Sequence, residues 1–236
     1  MSYYKTELTA DIHDVDYNGV ARASAIMKYI QTSAQMQLTE SGLSYDYLKS
    51  CKRAFIISKI RIDIAESVRA YDRLCAETFP CESRGYSFLR CYRLKRGDTV
   101  IARAASVWAL IDTESRSLVR VNDFNLGLPT LPPLDLDIGR ISLPGELMRV
   151  GAYHVNYEAT DQNRHMNNTK YPDMYSNYLP LDNKRIKTIS INYMKEARMG
   201  EKLEVLRAGY DGVHYFKTLR EDGEVNTIAE ISLADI

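Results

Sequence analysis

The chain has 236 residues, 45% of them hydrophobic and 26% charged, and its 31 Lys+Arg balance its 31 Asp+Glu. A chain of this size and composition buries a core without staples, and zero net charge argues against the basic excess of a dedicated nucleic-acid binder. No apolar run approaches the ~20 residues of a membrane-spanning helix, and Met-Ser-Tyr-Tyr-Lys-Thr-Glu at the start carries no targeting signal, so the expected location is the cytoplasm.

In chain order, a strand is predicted from Tyr3 to Ile12, followed by the polar loop Asp14-Val-Asp16-Tyr-Asn18. Ala23, Ile26, Met27, Ile30, Ala34 and Leu38 recur at helical spacing and predict one helix with a single apolar stripe. A shorter helical piece runs from Tyr45 to Lys49, and strand-like segments follow over 54–64, 72–83, 86–96 and 99–112. Cys51, Cys75, Cys81 and Cys91 have neither Cys-x-x-Cys nor zinc-finger spacing, so they read as reduced thiols and no metal or other cofactor is expected. Four of the seven prolines fall between Pro129 and Pro144, which predicts an extended connection there. The second half repeats the scheme. A strand spans Val150 to Glu158, a polar loop Asp161 to Asn168, and a helix Thr169 to Tyr178, ended by Pro180. Strands then run over 187–196, 202–210, 213–220 and 225–233.

The repetition extends to particular residues. Asp14-Val-Asp16-Tyr-Asn18 returns 147 positions later as Asp161-Gln-Asn163-Arg-His165, and Ile60-Arg-Ile62 returns 129 positions later as Ile189-Ser-Ile191. Lys95-Arg-Gly97-Asp and Glu221-Asp-Gly223-Glu are matching turn signals. Their shared order predicts an internal duplication, with extra residues in the first half between loop and first long strand. One helix followed by an antiparallel meander, twice over, is an α+β arrangement. The expected division is residues 1–128, a Pro-rich linker over 129–147, and residues 148–236.

The second loop holds the chemistry-bearing residues. Asn167 or Asn168 caps the following helix, so the loop lies where free N–H groups and the positive end of the helix dipole favour a developing oxyanion. His165 supplies a donor or base near neutral pH, Asn163 an amide, and Asp161 a carboxylate able to orient either. An extended loop would place all three on one face. Asp and Asn also populate turns for local hydrogen-bonding reasons. The first copy has Asn18 where the second has His165, an asymmetry that suits one active site in a duplicated protein. Glu196 closes a strand-like run and answers to Ser67 in the first half; flanked by Lys195 and Arg198, it reads on its own as a surface carboxylate.

The run Asp161-x-Asn163-x-His165-Met166-Asn167-Asn168-x-Lys170-Tyr171, together with Tyr193-Met-Lys-Glu196-Ala197, resembles the signature motifs of acyl-ACP thioesterases. The Asp-x-x-x-Asn-Gly loop of the first half is also similar to their N-terminal part. The resemblance implies a tandem (double) hot-dog fold, each half a long helix wrapped by an antiparallel sheet, and hydrolysis of fatty acyl-ACP to fatty acid and ACP, ending chain elongation in fatty acid biosynthesis. It places Asp161, Asn163, His165 and Glu196 in the active site and the acyl chain in the first half, with Ile26, Met27, Ile30 and the strand from Phe55 to Ile64 either lining its tunnel or serving as core. Ala197 stands where the family often has Cys. With no cysteine in the second half, direct attack by water is implied. Glu196 is the preferred general base, aided by Asn163, with His165 and helix N–H groups on the carbonyl; the roles of Glu196 and His165 remain interchangeable. The implied partner is acyl carrier protein, which is acidic, and Lys184, Arg185 and Lys187 are the expected basic docking cluster. The rival readings are an acyl-CoA thioesterase, a hydroxyacyl dehydratase and a non-catalytic acyl-binding protein. A monomer and a homodimer are equally compatible.

Overall fold

In the computed structural model, which describes residues 3–236, the first half runs β1 (Tyr4–Thr9), α1 (Ala23–Glu40), α2 (Tyr45–Ser50), β2 (Arg53–Ile64), β3 (Arg73–Pro80), β4 (Phe88–Arg96) and β5 (Thr99–Asp112), with a two-residue β6 (Leu118–Val119). The second runs β7 (Met148–His154), α3 (Tyr171–Ser176), β8 (Lys184–Tyr193), β9 (Lys202–Tyr210), β10 (Val213–Leu219) and β11 (Val225–Asp235). The strands form one sheet in the order β1-β3-β4-β5-β2-β8-β11-β10-β9-β7, with β6 beside β5. The second half retraces the first in mirror order from the middle outward, and every pairing is antiparallel. This is the tandem hot-dog arrangement.

The seam between the halves carries the duplication in its register. Ile60 pairs with Ile191 and Ile62 with Ile189, so each pairs with the counterpart of the other, and Arg61 opposite Ser190 marks the pseudo-two-fold centre. All four isoleucines are buried. The two predicted hairpin turns form at Gly97 and Gly223, whose φ values of 57° and 81° lie in the left-handed region that glycine enters without a Cβ clash.

Helix α1 buries the predicted stripe: Ala23, Ile26, Met27, Ile30 and Ala34 are in the core and Leu38 is half-buried. Ser33 fits the apolar face because its Oγ donates to Ala76 O on β3 and accepts from Thr6 Oγ1 on β1. The second helix is shorter than the expected Thr169–Tyr178: a 3-10 turn over Asn168–Lys170 leads into six residues of α-helix. Pro172 sits in the first turn, where its missing N–H is harmless, and Pro180 has no N–H to donate back to Ser176 O, so the helix does not continue through it.

Several strand limits also differ from expectation. The opening strands end at Thr9 and His154, and 3-10 turns at Ile12–Asp14 and Tyr157–Ala159 take up the residues assigned to them. Strand β8 begins and ends three residues early, which leaves Glu196 in the bend beyond it. The proline-rich segment does more than connect. Leu131, Leu134, Leu136 and Ile138 pack on Phe79, Cys81, Cys91 and Ala105 and close a second small core on the first half of the sheet. The four cysteines are free thiols, with Cys81 and Cys91 buried. Among the described residues no helix is long and apolar enough to cross a membrane.

Candidate active site

The loop after the Tyr157–Ala159 turn is a tight knot. Asp161 N donates to His165 O at 2.8 Å and Arg164 N to Asp161 O at 2.9 Å, and Arg164 takes φ 62° to close the turn. Asp161 Oδ1 accepts from Asn163 N at 2.8 Å and His165 N at 3.2 Å. The loop is therefore not extended, and residues 161, 163 and 165 do not alternate along one face. The Asp161 carboxylate positions Asn163 and His165 through their backbone amides, the local pattern that suits Asp to turns. Downstream, Asn167 caps the 3-10 turn by accepting from Thr169 N at 3.0 Å.

His165 then pairs with the bend after β8. It forms an antiparallel bridge with Arg198, while Met166 N donates to Ala197 O at 2.7 Å and Met199 N to Arg164 O at 2.9 Å. This short ladder brings His165 Nδ1 within 3.2 Å of Glu196 Oε2. The second carboxylate oxygen, Oε1, lies 3.8 Å from an Arg198 guanidinium nitrogen. Glu196 is the more open of the pair, with its side chain 50% exposed against 29% for His165. Ala197 points the other way into the core. None of the four cysteines, all in the first half, partners His165.

Beneath the bend lies a buried polar network that the strand pattern did not reveal. Asn226 O accepts from Met194 N at 2.8 Å and Lys195 N at 3.1 Å. Its Nδ2 donates to Lys195 O and to the Tyr171 hydroxyl at 3.0 Å, and its Oδ1 accepts from Thr218 Oγ1 at 2.9 Å. Tyr193, at the end of β8, donates its hydroxyl to Asn168 O at 2.9 Å and ties the end of β8 to the Asp161–Asn168 loop. Burial raises the Tyr171, Tyr175 and Tyr193 phenols well above their ordinary range, so they remain neutral hydroxyls. Asn226 gave no distinctive signal in the sequence, because β11 also carries Glu230 and Ser232 among its apolar residues.

A second unpredicted residue comes from the first half. Tyr45, opening α2, donates its hydroxyl to Asn163 Oδ1 at 3.3 Å. Helix α2 belongs to the extra residues that the unequal offsets of the duplication had marked, so an insertion in one copy reaches the loop of the other.

Lys184, Arg185 and Lys187, the expected docking cluster, are not beside this site. They open β8, and Glu196 follows its far end, about 3.3 Å of strand per residue away. Lys184 pairs with Asp235, and Arg185 donates to Ile64 O and Ala65 O. The basic side chains that flank Glu196 and His165 are Arg164, Lys195 and Arg198, all exposed. Among the described residues no three His, Cys, Asp or Glu side chains gather as a metal site. A cavity of about 260 Å3 opens elsewhere, beside the first-half loop at Asp16–Ala23.

The sequence model of the acyl-ACP thioesterase N-terminal domain matches residues 1–125, and that of the acyl-ACP thioesterase C-terminal domain matches residues 146–233. Among solved structures, an acyl-ACP thioesterase from Bacteroides thetaiotaomicron superposes with a TM-score of 0.85 at 18% identity, over 98% of this chain and 97% of its own. The 12:0-ACP thioesterase from Umbellularia californica gives a TM-score of 0.85 at 14% identity, over 99% and 97%. At these identities the likeness shows a shared fold. No curated protein sequence matches the chain.

Proposed function

The chain belongs to the acyl-ACP thioesterase family and hydrolyses the thioester of fatty acyl-ACP, and from that premise we propose that Asp161, Asn163, His165 and Glu196 form its active site. The observation that carries the assignment is the 3.2 Å approach of His165 to Glu196, built by a dedicated backbone ladder between two segments thirty residues apart.

In this mechanism Glu196, the more solvent-open of the pair, takes a proton from a water that Asn163 helps to hold. The water oxygen attacks the thioester carbonyl. His165 and the N–H of Asn168, which opens the Asn168–Lys170 turn, meet the developing oxyanion. Collapse breaks the C–S bond, and the proton that Glu196 took passes to His165, 3.2 Å away, and on to the departing thiolate. Asp161 holds the loop in shape, and Tyr45 fixes the Asn163 amide. No cysteine nucleophile enters.

The first half, residues 1–128, receives the acyl chain, and residues 148–236 carry the chemistry across the linker at 129–147; Tyr45 reaching Asn163 supports this division. Arg164, Lys195 and Arg198 face the acidic carrier. Release of the fatty acid ends chain elongation in fatty acid biosynthesis in the cytoplasm. Glu196→Gln tests the base directly. It should lower kcat by ~10²–10⁴ with KM little changed, and a loss of less than about tenfold would remove Glu196 from that role.

A further inference from the structure

The about 260 Å3 cavity lies at the place in the first half that corresponds to the active site in the second. Its wall includes Asp16 and Tyr17 from the loop answering to Asp161–His165, and Ser67, which answers to Glu196. The catalytic groups are gone from this copy and their replacements are occupied structurally. Asn18, standing where the other copy has His165, donates its Nδ2 to Leu181 O at 2.7 Å and Lys184 O at 3.1 Å, and its Oδ1 accepts from Asn183 N at 3.3 Å. Asp16 Oδ1 accepts from Asn18 N and Val20 N. The duplicated cleft has thus lost its chemistry and kept its space.

The polar groups on that space have capacity left over. Asp173, on α3, has a single hydrogen bond among the described residues, from Ser24 Oγ at 2.5 Å to Oδ1, and no cation within ion-pair distance. Across from it stand Arg22 and Arg185, also without a carboxylate partner among the described residues. Arg22 spends Nη1 on His13 O and Arg185 spends its fork on backbone carbonyls, out of five N–H donors each. Val20, Ile26, Ile64 and Val68 supply an apolar wall. A fatty carboxylate would face Asp173, and a cation would face two guanidinium groups. A neutral, narrow chain with both N–H and C=O groups satisfies both sides.

We infer that this cavity is a second, non-hydrolytic binding site for the amide-bearing pantetheine arm. The identity of the arm rests on the acyl-ACP reading, because the pantetheine that carries the thioester is the ligand the active copy of this cleft must admit. Here the arm's amide N–H meets Asp173 and its carbonyl meets Arg22 or Arg185. The site holds the arm without cleaving it, since neither Asn18 nor Ser67 can replace His165 and Glu196.

The test is calorimetric titration with an octanoyl-pantetheine analogue whose thioester sulfur is replaced by N–H, so that nothing is hydrolysed. One binding component of the wild-type protein should vanish in Ser67→Trp, which fills the cavity, and weaken about fivefold in Asp173→Asn, which replaces a charge-assisted acceptor with a neutral one. Turnover of acyl-ACP at His165 and Glu196 should stay within about twofold in both. Asp173→Asn keeps the side chain's size and carries the test should Ser67→Trp fail to fold. Binding that is absent from wild type, or unchanged in both variants, overturns the inference. The parallel turnover assay separates the two readings: cavity binding without hydrolysis removes the enzyme function alone, and hydrolysis without cavity binding removes the second site alone.

Discussion

Glu196 presents its two carboxylate oxygens to two different partners, Oε2 to His165 and Oε1 toward Arg198. What holds that geometry is mostly backbone, and the side chains that support it are few enough to test singly. Tyr45→Phe removes one hydrogen bond to Asn163 and nothing else, so kcat should fall about fivefold, the value of a single neutral hydrogen bond, with Tm unchanged. A Tm drop with unchanged kcat would make Tyr45 a packing residue only. Asp173 gives a pH signature. Burial raises its carboxyl above the usual range, against the smaller opposing effect of Ser24 and nearby cations. The folded protein then holds that proton more tightly than the unfolded chain, so stability falls as pH rises through the ordinary carboxylate range of about 4 and the penalty is complete above the raised value. Asp173→Asn removes it: Tm should rise at pH 7, and the gain should fade at pH 3.5. An equal gain at both would contradict the burial account. At this scale the sequence named four candidate residues but not their postures. Asp161 was legible as an acid in a turn, yet its bonds go to the amides of Asn163 and His165, because a five-residue turn leaves no room for the extended alternation. Tyr45 and Asn226 were not legible, since both act across contacts distant in sequence.

Among the elements, the Asp14–Asn18 loop attaches one half to the other. Three hydrogen bonds of Asn18 and one from the Tyr17 hydroxyl to Asp182 Oδ1 join it to the Leu181–Lys184 turn of the second half. Asn18→Ala leaves Leu181 O and Lys184 O without that donor and should destabilise the protein by about 1–3 kcal/mol in urea unfolding. A change below ~0.5 kcal/mol would mean that water replaces the amide without loss. Long elements with strong periodicity, α1 above all, were readable from their stripe. The place of α3 was readable too, but not its length, because Pro172 and Pro180 bracket it closely. The proline-rich segment was readable as extended but not as a cover for the sheet, since its leucines show no regular period.

Over the whole molecule, the β2–β8 seam makes one sheet from two copies. The isoleucines at its pseudo-two-fold centre are buried in a single core that draws on both halves. The chain should therefore unfold in one transition although two domain models match it. Ile191→Ala should lower the stability of both halves together by ~2–5 kcal/mol. Separate transitions, with the first half unaffected, would show that the seam is a contact between independent domains. The tandem arrangement was legible because duplication leaves matched turns and strands in order. That the insertion after α1 serves the other copy's loop was not, because a helix of six residues carries no mark of what it faces.

In the proposed mechanism His165 and Glu196 act as a unit on acyl-ACP. The most direct measurement is free-thiol release from a panel of acyl-ACPs, with matching acyl-CoAs, by wild type, His165→Ala, Glu196→Ala and the double variant. Wild type should release thiol from acyl-ACP, each single variant should lose ~10²–10⁴, and the double variant should be little worse than either, as for residues that work together. Losses that multiply, or single variants that retain nearly full release, would contradict a shared site at this pair. Wild type that releases thiol from no substrate would contradict the function itself.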